Sequence, residues 1–116
     1  MEFVYHITSK SIWESQQAKG TFLTPTFNQD GFIHFSTLPQ VRKTAHKFYQ
    51  GQKDLVILEV DPTFYPGKLI FENLDGGSEL FPHLYAPLSI RSVHQVFNLP
   101  LNPEAEFDFP ALFLSV

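Results

Sequence analysis

The chain has no cysteine and only two arginines, Arg42 and Arg91. The first absence removes disulfides, zinc–thiolate sites and a cysteine nucleophile together, and it fits an intracellular protein. The scarcity of arginine, with a formal net charge of −4, argues against nucleic acid as the main partner. A protein that tracks a phosphate backbone carries a basic surface, because each contact releases counterions. No apolar run approaches the length of a membrane span. The start "MEFVYHITSK" lacks the basic region and long apolar run of a signal peptide. A cytoplasmic, soluble protein with no membrane partner is therefore expected. No HExxH pair, GxSxG elbow or P-loop occurs. The five histidines show no ligand spacing, so no metal is expected.

What is present points to a globular domain. Hydrophobic residues make up 43% of the 116 positions and charged residues 17%, a balance that buries a core without staples. Thirteen phenylalanines predict a core rich in aromatic rings. "EFVYHI" at 2–7 reads as a strand, with Phe3, Tyr5 and Ile7 on one face and Val4 and His6 on the other. Thr8 or Ser9 can cap a helix running to about Lys19, with Gly20 at its C′ position. "TFLTPTFNQDG" reads as a connection closed by an Asp30-Gly31 turn. The strand "FIHF" follows, then a second helix capped by Ser36 or Thr37, with Val41, Ala45 and Phe48 as its apolar stripe. "DLVILEV" at 54–60 is the strongest strand and predicts a central position buried on both faces. "KLIFEN" at 68–73 and "SVHQVFNL" at 92–99 are further strands, and "LDGGSELFPHLYAPL" between them reads as a long irregular loop. The order predicts an α+β fold with two early helices and a mixed or antiparallel sheet. Residues 1–100 form the expected domain. Residues 101–116 form a tail that packs on it or on a partner, a second copy of the chain included.

Two short motifs share one form. In "YHIT" and "FIHFST" a strand histidine is followed two residues later by a hydroxyl, His6 by Thr8 and His34 by Ser36. Taken singly, each histidine reads as a strand residue bonded to a neighbouring carbonyl, and Ser36 reads as a helix cap. Taken together, on neighbouring strands, they would put two imidazoles in one cleft. The loop adds Glu72, Glu79, His83 and Tyr85 among glycines and prolines, with Pro82 and Pro87 stiffening "HLYA". The charges from Arg42 to Lys47 read as a solvated helix face.

"DGFIHFST", "DLVILEV" and "FPHLYAPL", in that order, resemble the bacterial family called domain of unknown function 952, over roughly residues 3 to 99. That family is similar in fold to the ADP-ribosyltransferase group, in which a split mixed or antiparallel β-sheet grips NAD in a central cleft. "YHIT" is similar to the "YHGT" of that group, above all of its RNA 2′-phosphotransferase branch, whose "VHLS" is similar to "IHFS". Ile7 stands here in place of the motif glycine. The resemblance implies a cleft for NAD or ADP-ribose, lined by His6, Thr8, His34 and Ser36, and transfer of ADP-ribose or cleavage of NAD as the activity. The glutamate that supports transfer in that group has no matching motif here, and Glu72 and Glu79 are its candidates. If the chain is such an enzyme, Tyr85 is expected to stack on the ligand and Glu72 or His83 to meet the reacting ribose. The alternative on the same scaffold is a non-catalytic small-molecule-binding or protein-interaction module.

Overall fold

The computed structural model describes residues 2–116. In chain order its elements are β1 (Val4–Ser9), α1 (Lys10–Gln17), β2 (Thr21–Phe22), α2 (Phe27–Asp30), β3 (Ile33–His34), α3 (Val41–Phe48), β4 (Leu55–Val60), β5 (Leu69–Glu72), β6 (Phe81–Leu84), β7 (Leu88–Ser89) and β8 (Val93–Leu99). The strands form three small sheets, ordered β1-β4-β8, β2-β7 and β3-β6-β5. Each named pair is antiparallel. The chain is thus an α+β fold of antiparallel sheets with few helices.

Strand β4 shows how the sequence builds the core. All six of its residues are buried. Because successive side chains of a strand point to opposite faces, Val56, Leu58 and Val60 enter one cluster with Val4, Trp13, Phe22, Ile33, Phe35, Leu84 and Leu88. Leu55 and Ile57 enter a second cluster with Tyr5, Ile7, Val41 and Ala45. The tail closes that second cluster with Phe107, Phe109 and Phe113, and Leu101 pairs with Phe107 across a tight reversal. Glu59 breaks the apolar run on the second face. Its carboxylate is buried and accepts from the Tyr5 hydroxyl at 2.9 Å, and it meets Nδ1 of His94 at 2.7 Å.

Helix ends follow the expected chemistry. Ser9 caps α1, its hydroxyl accepting from the Ile12 N–H at 3.2 Å. Between Ser36 and Thr37, Thr37 takes the cap of the turn before α3, and its N–H donates to the Gln40 side chain at 3.0 Å.

Three expectations need correction. The 74–88 segment is not an irregular loop, because β6 and β7 lie in it and β6 is the middle strand of its sheet. Pro82 disguises it, since proline normally argues against a central strand. Here the Pro82 carbonyl still accepts from Phe35 N–H at 2.8 Å. The 21–31 connection is not structureless, because it holds β2 and the single-turn α2, which Gly31 ends at φ 78°. Phe48 is not core. It is 54% exposed at the last position of α3 and stands outside the cluster that holds Val41 and Ala45. Among the described residues no helix is long and apolar enough to cross a membrane.

Candidate functional site

The first and third sheets meet through two backbone hydrogen bonds. Tyr5 N–H donates to the Ser36 carbonyl at 2.8 Å and Ser36 N–H to the Tyr5 carbonyl at 2.7 Å. This bridge sets β1 beside the 33–36 segment and brings the two strand histidines together. Nδ1 of His6 donates to the His34 carbonyl at 2.7 Å. The ring lies against Phe22 and Phe35 with centroids at 5.7 and 5.5 Å. Burial therefore lowers its pKa from 6.5 to about 4, against the opposing pull of the His34 carbonyl. A neutral imidazole whose Nδ1 carries the proton presents a bare Nε2.

His34 pairs with His83 across β3 and β6, and its Nδ1 lies 3.2 Å from Nε2 of His83. Nδ1 of His83 lies 2.9 Å from Oε2 of Glu72. Glu72 is opposite Phe81 on the β5–β6 ladder, so it reaches His83 diagonally across one face. The Tyr85 hydroxyl donates to the same Oε2. Phe32 stacks on the His83 ring at 4.2 Å and 17°. Tyr85, then His83, hold the Glu72 carboxyl below its ordinary pKa, and the Glu72 bond raises that of Tyr85. Burial, with His83 and His6 nearby, lowers the His34 pKa from 6.5 to about 4, and Asp75 opposes this.

These groups open on a cavity of about 1010 Å³. Of the residues the sequence singled out, His6, Thr8, His34, Glu72 and His83 line it, as does Glu79. Ser36 and Tyr85 are not among the lining residues. The Ser36 hydroxyl is taken by Thr44 Oγ1 at 2.8 Å in a buried pair, and Tyr85 stands behind Glu72. Sequence reasoning missed Phe32, Thr44 and Phe48 as lining residues. Phe48 carried no signal, because a helix stripe reads as core, and Thr44 stood outside every motif. The 73–79 loop carried a legible one. Asn73 Oδ1 accepts from the N–H groups of Asp75 and Gly77 at 2.8 and 3.0 Å, the side-chain-to-backbone turn that asparagine favours. A Cβ on Gly77 would meet the Asn73 amide at 2.9 Å, so a side chain there would push on the group that holds this turn.

The cavity is acidic. Asp30, Glu72, Asp75 and Glu79 line it against Lys43 and Lys47, and Lys43 is already paired with Glu79 at 2.7 Å. Among the described residues, two buried side-chain atoms lack a hydrogen-bond partner, His34 Nε2 and Thr24 Oγ1, and both belong to residues lining this cavity. Buried polar atoms are normally satisfied by protein or an ordered molecule. Among the described residues, no group of three or more His, Asp or Glu side chains is placed to hold a metal ion.

Comparison with known proteins places the chain. No curated protein matches it. It is similar to the crystal structure of protein CC0527 from Caulobacter crescentus, with 34% identity, a TM-score of 0.81 and coverage of 91% of this chain and 93% of that one. The solution NMR structure of CC0527 is similar at 36% identity and a TM-score of 0.78, over 90% of both chains. Residues 7–96 match the family described as Protein of unknown function (DUF952), and the chain belongs to that family.

Proposed function

We propose that the cavity binds a nucleotide of the NAD or ADP-ribose type and that the chain cleaves or transfers at the anomeric carbon of its ribose. The observation that carries this reading is the division of labour on Glu72. Oε2 is tied to His83 and Tyr85. Oε1 accepts no hydrogen bond among the described residues, and the side chain is 24% exposed on a cavity wall. A carboxylate held ionised and aimed by two donors suits the stabilisation of an oxocarbenium-like ribose through its 2-hydroxyl. Phe32, Phe48 and Phe81 on the lining offer faces for a base or a nicotinamide ring. Loss of nicotinamide would then rest on positioning and electrostatics more than on a strong acid.

The test is nicotinamide release from NAD by the intact protein, with Glu72→Gln lowering it by about tenfold or more. No release with water or with any acceptor tried would refute the catalytic part. The surplus of carboxylates on the lining leaves a pyrophosphate few free cations and favours a second reading, in which the same cleft holds another small molecule without turnover. Calorimetry with NAD and ADP-ribose separates the two. Binding of neither ligand removes the nucleotide reading, and binding with nicotinamide release removes the second.

A further inference from the structure

The hydrogen-bond roles in the cluster follow from its one fixed end. Glu72 is a carboxylate and can only accept, so Nδ1 of His83 must be the donor across their 2.9 Å contact. In the neutral form of the pair, His83 Nε2 is then a lone pair. The 3.2 Å contact to His34 is a hydrogen bond only if His34 Nδ1 carries the proton. His34 Nε2 is left as a bare lone pair, and it is the atom that is buried, unpartnered and on a residue of the cavity wall. Each link of the chain is thereby set by the one before it.

We propose that Glu72, His83 and His34 form a proton relay whose working end is Nε2 of His34, and that this nitrogen takes a proton from a hydroxyl in the cavity, that of water or of an acceptor alcohol. As the hydroxyl oxygen forms its bond to an electrophilic carbon, its O–H bond breaks and the proton binds Nε2 of His34. The proton on Nδ1 of His34 passes to Nε2 of His83. The charge then sits on the His83 imidazolium, 2.9 Å from the Glu72 carboxylate, and no group is oxidised or reduced. His34 is the catalytic residue of this step, and His83 is the positioning residue. The inference rests on the proposed function only in taking the cavity as a ligand site, and it adds the acceptor's chemical class. The groups that face the His34 ring are His6 from β1, His83 from β6 and Asp75 from the 73–79 loop. Glu72 stands behind His83, and Lys43 and Lys47 from α3 share the cavity. The Phe48 and Phe81 rings flank His34 at centroid distances of 6.2 and 5.4 Å. Phe48, 54% exposed at the end of α3, is the flanking ring whose removal tests access to His34.

The experiment is NMR of the ring nitrogens in the free, intact protein. Near neutral pH, His34 and His83 should both carry their proton on Nδ1, with Nε2 of His34 at the shift of an unprotonated nitrogen. On acidification the pair should take up one proton in a single shared step, and the His34 proton should move from Nδ1 to Nε2. A proton on Nε2 of His34 in the neutral form, or two rings titrating independently, overturns the relay. In His83→Phe, which keeps a ring for Phe32 to stack on, His34 should lose its single-tautomer state, and a ring still locked on Nδ1 overturns it as well. Access is tested by acylation with diethyl pyrocarbonate. His34 should react at Nε2, and faster in Phe48→Ala, whereas a His34 that stays inert in both proteins while exposed His46 and His94 react overturns its role as a base. None of these measurements needs a nucleotide. Failure to bind NAD would remove the proposed ligand and leave the relay, and reversed tautomers would remove the relay and leave the cleft.

Discussion

Lowering the pH should weaken the fold well before its carboxylates are protonated. His6 is buried with a pKa of about 4, against 6.5 for an ordinary histidine. Between those values the unfolded chain holds a proton that the folded chain does not. Stability is therefore full above the unfolded value and falls as the pH drops toward the folded one. Integrating the linkage relation for one such group gives a loss of about 2 kcal/mol on going from about pH 7.5 to about pH 5. Near pH 5.5 the slope is about 1 kcal/mol per pH unit. His34, shifted the same way, contributes a similar amount, so the intact protein should show roughly twice that slope. Urea unfolding across this range measures it, provided the slope m stays constant. In His6→Gln the amide N–H can still donate to the His34 carbonyl, yet the residue cannot titrate. The pH slope should then fall by about half. A variant that folds and keeps the full slope between about pH 5 and 6.5 would refute the account of His6 as a neutral buried ring.

Truncating Phe113, which is fully buried in the second cluster, should cost about 3–5 kcal/mol in Phe113→Ala, read by urea unfolding. A cost under about 1 kcal/mol would show that the tail does not belong to the core. In Tyr85→Phe the Glu72 carboxyl loses its strongest donor, so its pKa should rise toward the ordinary value while His83 stays bonded. A carboxyl carbon titration by NMR reads the change, and an unmoved Glu72 would count against the hydroxyl as the cause.

Much of this protein was legible along the chain because periodicity and caps are local. β1, β4, β5 and β8 could be read from β-branched and aromatic runs, and α1 from the hydroxyls of Thr8 and Ser9 before it. Two misreadings share one physical reason. Pro82 is an edge or loop signal by itself, and only the pairing of β6 with both β3 and β5 lets it stand in a middle strand. Phe48 continues the stripe of Val41 and Ala45, and only the packing of the second cluster, which takes those two and leaves Phe48 out, decides its exposure. Ser36 shows the same limit at the site. A hydroxyl beside a histidine reads as a ligand contact, and the fold satisfies it with Thr44 instead.

The sequence by itself determined the alternation that buries β4 on both faces and narrowed each helix cap to two adjacent hydroxyls, since each depends on residues a few positions apart. It also determined which side of each strand His6 and His34 would take. Only the tertiary structure decided that those sides face one cavity. The contacts that make the site span 28 residues from His6 to His34 and 49 from His34 to His83. No pattern of neighbours along the chain encodes such distances. They are set by how three small sheets pack around a shared core.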